Sequence, residues 1–199
     1  KVWSPDGTRL VCTSHSHGQI VVFDVDTGQP VGVFPQSSWP IRLAWSPDGD
    51  YLALTPDLDI IVWDIERDEH YTLEGGYLPV WSPDSWSPDG RWIARAVADG
   101  TVLIWGLEQR ALTHTLEGHI ECVNVMAWSP DSTLLAIGYG DNTITIFDVA
   151  EERPVKQLEG HVLDPRGVVD LAWSPDGRWL ASVAGDLTLI IWDVSQIGQ

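Results

Sequence analysis

Cysteine, basic residues and long apolar runs are all scarce in this sequence, and each shortage excludes something. Only two cysteines occur in 199 residues, Cys12 and Cys122, far apart and without a Cys-x-x-Cys partner. That excludes a disulfide framework and favours a reducing, cytoplasmic compartment. Lys and Arg number 11 against 29 Asp and Glu, a formal charge of −18. A phosphate backbone needs clustered Lys and Arg, so no nucleic-acid partner is expected, and solubility or a basic partner surface is favoured instead. No apolar run reaches the roughly 18–20 residues of a spanning helix, so no membrane partner is expected. No secretory leader is visible, although the chain starts at Lys1 inside a repeat, so a true N-terminus can lie upstream.

Motifs of catalysis are missing as well. There is no Gly-x-Ser-x-Gly elbow, P-loop, His-Glu-x-x-His or EF-hand loop, and the glycines are dispersed in turns rather than gathered around a phosphate. No nucleophile stands with a base, so neither catalysis nor a cofactor is expected. His15 and His17 lie two residues apart, which on a strand would place both on one side, as a metal site requires. No nearby Cys or third His completes a ligand set, so the pair reads as a solvated turn and no metal is expected.

What the chain does have is tryptophan, 12 of them against 3 Phe, and one recurring phrase. Trp-Ser-Pro-Asp-Gly stands at Trp3–Gly7, Trp45–Gly49, Trp86–Gly90 and Trp173–Gly177, and Trp128–Ser132 is a copy ending in Ser. The Trp-to-Trp period stays between 41 and 45 residues, the mark of a repeat protein. Ser-Pro-Asp-Gly is a type I turn in sequence: Pro presets φ, Asp bonds its own backbone and Gly takes the position of positive φ. Apolar runs on either side of each turn read as a hairpin. Most of the acid therefore has turn chemistry to do.

Each period holds four short strands and no amphipathic helix, so the fold is all-β. The repeats run roughly over 1–35, 36–74, 75–117, 118–159 and 160–199. Third strands are expected over Gln19–Val25, Asp59–Ile65, Thr101–Leu107, Thr143–Val149 and Leu187–Val194. The third repeat opens irregularly, because Pro79–Gly90 carries the turn phrase twice, and Pro83 and Asp84 fit poorly inside a strand. A shortened or bulged strand is expected there.

Third strands end in Phe23-Asp24, Trp63-Asp64, Trp105-Gly106, Phe147-Asp148 and Trp192-Asp193, and Gly-His pairs close the fourth strands at Gly118-His119 and Gly160-His161. Gly-His followed by Trp-Asp at this period resembles the WD-repeat (WD40) β-propeller family, in a prokaryotic-looking variant. The resemblance covers essentially the whole chain. Propellers of prolyl oligopeptidases and Tol-associated periplasmic proteins also use Ser-Pro-Asp-Gly turns, but the Gly-His and Trp-Asp pairs favour the WD-repeat reading. The resemblance implies one four-stranded antiparallel blade per repeat, packed radially. About five blades are expected, the terminal ones incomplete, forming an open arc of a larger ring whose remaining blades are missing from this chain.

The family also implies a buried hydrogen-bond network inside a blade: His after the Gly, Ser or Thr on the second strand, Asp in the next turn, Trp on the third strand. Only the last repeat matches in full, with His161, Ser182, Asp186 and Trp192. The fourth keeps His119 and Asp141 but has Ile137 and Phe147. The third has Gly76 and Arg95 with Asp99 and Trp105. The second has Asp57 and Trp63, with Thr55 as the candidate hydroxyl, and the first has His17 and Phe23. These residues read as structural, and the Ser-His-Asp set in the last repeat is not a catalytic triad.

One loop is longer than its counterpart. From Gly-His to the strand-end Trp the chain takes nine residues after His119 and twelve after His161, with the extra length in Val162–Gly167. By family geometry this link and the second-to-third strand links share one face, which would gather His17, Trp39, Tyr77, Glu121, Tyr139 and the insertion. Trp39, Tyr77, Leu163 and Arg166 are the candidate partner-binding anchors, being the residue types in which binding energy concentrates. The opposite face, built of near-identical Ser-Pro-Asp-Gly turns, offers little that is particular to one partner. The function implied is a non-catalytic protein–protein interaction scaffold within a larger protein. The alternative is a substrate-gating propeller of a larger hydrolase.

Overall fold

The computed structural model describes residues 2–14, 19–35, 42–55, 59–74, 85–117 and 121–197. His15, His17, Trp39, Asp57, Gly76, Tyr77, His119 and the first of the tandem turns, through Asp84, lie outside the described residues. The chain divides into two compact units, Lys1–Tyr77 and Leu78–Gln199. Every described strand pairs antiparallel with its neighbours, and no helix occurs among the described residues.

The first unit holds two four-stranded meanders. One comprises β1 (Val2–Trp3), β2 (Arg9–Ser14), β3 (Gln19–Asp24) and β4 (Pro30–Pro35). The other comprises β5 (Arg42–Trp45), β6 (Tyr51–Thr55), β7 (Ile60–Asp64) and β8 (Glu69–Leu73). Their inner faces meet: Val11, Ile20 and Val22 of the first sheet pack with Trp45, Leu52, Leu54 and Trp63 of the second. Removing this much branched apolar surface from water is what holds two sheets together that share no strand.

In the second unit the third sheet is β9 (Ser85–Trp86), β10 (Trp92–Ala96), β11 (Val102–Gly106) and β12 (Ala111–Leu116). The fourth is β13 (Val123–Trp128), β14 (Leu134–Tyr139), β15 (Ile144–Asp148) and β16 (Arg153–Leu158). The fifth is β17 (Val168–Trp173), β18 (Trp179–Ala184) and β19 (Leu189–Asp193). One apolar cluster joins Ala94, Ile104 and Leu116 to Val123, Met126 and Ile137. A second joins Ala136, Ile144 and Ile146 to Val168, Leu171 and Leu180. Middle strands are apolar on both faces, as β11 shows by being buried at all five positions. The outer β16 is buried only at Leu158 and half-buried at Val155, so Pro154 is tolerated there. Stacked four-stranded meanders of this kind are the blades of a β-propeller.

The repeated turn is built more tightly than its sequence suggests. In the first, Gly7 N–H donates to Ser4 O at 3.0 Å, and Gly7 takes φ +74°. The Ser4 hydroxyl donates to Asp6 at 2.6 Å and accepts from Arg9 N–H at 2.9 Å. The same pattern recurs at Ser46, Ser87, Ser129 and Ser174. The serine is thus a hydrogen-bond hub rather than a mere turn former, and Ser4, Ser46, Ser87 and Ser129 are buried. Strand-end tryptophans tie sheet to sheet: Trp45 Nε1–H donates to Val2 O at 3.4 Å and Trp173 Nε1–H to Ala127 O at 3.0 Å. Each acceptor belongs to the residue before the preceding sheet's own Trp.

Two readings of the sequence need correction. Leu187 was expected inside the third strand of the last repeat, but β19 starts at Leu189 and Leu187 sits in the turn before it at φ +65°. Asp186 and Thr188 bond to each other there and take the chain out of the ladder. Tyr139, expected on the binding face, closes β14 inside the apolar core, and burial pushes its phenol far up.

Candidate functional site

Three connections meet at one end of the strands in the second unit: the β14–β15 turn, the β18–β19 turn and the long loop from β16 to β17. Asn142 Nδ2 donates to Asp164 O at 3.0 Å, and Asn124 Nδ2 to Arg166 O at 2.9 Å. Gly185 N–H donates to Gly167 O at 2.8 Å. The insertion is therefore a fastened loop. Gly167 is required for this, because at φ +65° an added Cβ would lie 2.5 Å from Tyr139 O and Gly140 Cα.

Arg166 fastens the loop while its side chain stays largely exposed. Its Nε donates to Asp164 at 3.0 Å, and its Nη2 donates to Gly185 O. The Arg166 side chain holds the Asp164 carboxyl below the ordinary range, and Asp164 in turn raises the guanidinium. Leu163 is left with nothing to cover it, at 81% exposure beside Val162 at 70%. Leu187, also at this end, is 83% exposed in left-handed backbone. Equivalent turns put Gly100 and Asn142 at that position, two residues that tolerate it. Glu121 is exposed on the link before β13, whose Cys122 O accepts from Gly140 N–H at 3.0 Å.

Beneath the loop, His161, Ser182, Asp186 and Trp192 lie in one chain of hydrogen bonds. Trp192 Nε1–H can only donate, and it reaches Ser182 Oγ at 2.8 Å. His161 Nε2 is 2.7 Å from the same oxygen, and Nδ1 is 3.3 Å from Asp186 Oδ2 and 3.0 Å from Thr188 Oγ1. A carboxylate beside Nδ1 favours the proton there, so Nε2 accepts from the Ser182 hydroxyl. Asp186 also accepts from Val162 N–H at 2.8 Å, linking the network to the insertion's first residue. The Thr188 hydroxyl, followed by the amides of Thr188 and Val162 and by His161, holds the Asp186 carboxyl far down against the upward push of burial. Gly160 makes room for the indole, since a Cβ there would stand 2.8 Å from Trp192. Ser182 is 1% exposed, so its hydroxyl meets no solvent-borne group.

The other blades solve the same problem differently. Arg95 stands buried at the position of Ser182 in the third sheet, and Ile137 and Phe147 are buried in the fourth. In the second, Trp63 Nε1–H donates to Asp68 at 3.2 Å, not to Thr55. The Thr55 hydroxyl oxygen is buried without a hydrogen-bond partner among the described residues. That substitute partner was invisible in sequence because Asp68 lies beyond the strand, in the turn at φ +53°.

No group of three or more His, Cys, Asp or Glu among the described residues is arranged to hold a metal ion. No helix among them is long and apolar enough to cross a membrane. Over residues 68–106, 110–148 and 152–193 the sequence matches the WD40 family, described as "WD domain, G-beta repeat". It is also similar to COMPASS component SWD3 of Saccharomyces cerevisiae, 43% identical over 58 residues. That similarity spans 29% of this chain and 18% of the yeast protein, a small part of its length. Three matched repeats over more than half the sequence, on antiparallel blades closed by Trp-Ser-Pro-Asp-Gly turns, place the chain in the WD40-repeat family.

Proposed function

We propose that this WD40 segment is a non-catalytic scaffold that holds a protein partner against the loop between β16 and β17. The observation that carries the reading is the loop itself, fastened by backbone and side-chain hydrogen bonds while Val162 and Leu163 stand in solvent. Ordering apolar side chains before contact lowers the entropic cost of binding. The buried tetrad of His161, Ser182, Asp186 and Trp192 supports that loop from below. A Ser-His-Asp set whose serine is buried and bonded to an indole suits structure, because no acyl carbon can reach it.

Similarity to a protein named as a component of an assembly supports the scaffold over a substrate gate in a hydrolase. The net charge of −18 would draw basic partners towards this segment. Leu163 is the anchor and Arg166 positions it, while Trp39 and Tyr77, outside the described residues, are proposed as further partner contacts in their own right. Affinity capture tests the reading. Partners retained by the wild-type segment and by Asp48→Ala should be lost by Leu163→Asp at unchanged thermal stability. Equal recovery by all three proteins would refute the loop as the docking site.

A further inference from the structure

The turn end of the blades, expected to be uniform, differs between the two seams of the second unit. Where the third sheet meets the fourth, side chains bridge the seam. Trp92, five residues after the turn serine Ser87, packs on the shared core and against His114 at 5.2 Å between ring centroids. His114 reaches Glu152 of the fourth sheet at 2.9 Å, and the Ser132 hydroxyl accepts from Asp89 N–H at 3.1 Å. The seam between the fourth and fifth sheets has a smaller or more flexible residue at each matching place. Leu134 stands for Trp92, Lys156 for His114 and Gly177 for Ser132. A cavity of about 610 Å³ lies at this seam, and Trp173, Val194 and Ile197 are among its lining residues. A second, of about 670 Å³, shares Asp148 and Ile197 with it, so the two adjoin.

Three carboxylates line the first cavity, Asp131, Asp148 and Asp176, and its lining has no lysine or arginine. Each spends one oxygen on its own turn: Oδ1 accepts from Thr133 N–H, Glu151 N–H and Arg178 N–H respectively. Among the described residues the three Oδ2 atoms accept no such bond, so each carboxylate keeps one oxygen outside its turn. Arg153 and Lys156 line only the adjoining cavity. A lining that combines apolar side chains with carboxylates fits a side chain with a hydrocarbon stem and a cationic head.

We infer that the groove between the fourth and fifth blades is a second docking site, which takes an extended peptide segment of a partner and seats an arginine or lysine among Asp131, Asp148 and Asp176. It lies at the end of the strands opposite the β16–β17 loop and does not rest on that loop's proposed role. Charge complementarity selects the basic residue, and the adjoining cavity gives the chain on either side of it a path.

The test uses a fluorescein-labelled acetyl-Ala-Leu-Arg-Leu-Ala-amide peptide, its counterpart with Glu for Arg, and anisotropy. The arginine peptide should bind at least about tenfold more tightly than the glutamate peptide. Asp148→Asn, which keeps the turn acceptor, should weaken it several-fold. Leu134→Trp with Gly177→Ser, which rebuilds this seam on the pattern of the bridged one, should abolish binding. Ser132 already holds φ +62° at the position of Gly177, so the backbone accepts serine. Leu163→Asp should bind the peptide as the wild type does, which separates this site from the loop. Absence of binding, equal binding of the two peptides, or unchanged binding by Asp148→Asn and the filled variant would overturn the inference.

Discussion

Ser182 Oγ lies 2.7 Å from His161 Nε2, across 21 residues of sequence, and ties the start of the long loop to the middle of β18. The same oxygen takes the Trp192 indole N–H at 2.8 Å, so removing one hydroxyl strands two ring nitrogens in a buried place. Ser182→Ala should therefore cost about 1–3 kcal/mol. Urea unfolding measures it, and an unchanged midpoint would mean that water or repacking replaces the hydroxyl.

Leu187 is predicted to be a stability defect. At φ +65° its Cβ crowds the backbone, and at 83% exposure it recovers nothing by burial. Leu187→Gly, matching Gly100 in the third blade, should stabilise by about 0.5–1 kcal/mol. A higher thermal midpoint supports this. A lower one would show that the leucine packs usefully in the folded protein.

Gly167 is the opposite case. Its Cβ would meet Tyr139 O and Gly140 Cα at 2.5 Å, both backbone atoms that cannot swing aside. Gly167→Ala should destabilise by more than about 1 kcal/mol. Amide exchange at Gly185, whose N–H bonds Gly167 O, should speed up with it. Exchange unchanged at Gly185 would mean that the loop is not held at this point.

Acid should unfold the segment through its turns. The Ser4 hydroxyl, then the Thr8 amide and hydroxyl, lower the Asp6 carboxyl from 3.8 to about 2. Asp24, Asp99, Asp131, Asp176 and Asp193 are lowered by hydrogen bonds of the same local kind. A carboxyl with a depressed folded pKa contributes stability that is fully present above its unfolded value. That contribution is lost as pH falls through the folded value. Stability should thus hold down to about pH 4 and fall towards pH 2. Asp6→Asn should flatten the fall. A midpoint that drops between pH 7 and pH 5 instead would point to histidine.

The blades and their turns were legible in sequence because they are local: Ser, Pro, Asp and Gly within four residues determine a turn wherever it lands. The hydrogen-bonded contacts of His161, Ser182 and Trp192 follow from residue types at fixed offsets within a repeat. Contacts between repeats have no such offset. That Trp173 would donate to Ala127 O, or that Leu134 and Gly177 would leave open a seam of the kind that Trp92 and Ser132 bridge, depends on how neighbouring sheets stack. Arg166 shows the same limit. As a residue type it suggests an anchor, and its hydrogen bonds to Asp164 and Gly185, which also let it brace the loop, follow from no offset in the sequence. Leu187 was misplaced because its apolar character suggests strand, while the Asp186–Thr188 hydrogen bonds impose a turn.

Hydrogen–deuterium exchange on the captured complex tests most directly whether the β16–β17 loop receives the partner. Binding should slow exchange at Val162–Arg166 and around Leu187, with little change at the Ser46–Gly49 turn. Protection confined to the Ser-Pro-Asp-Gly turns, with the loop exchanging as freely as in the unbound segment, would contradict it.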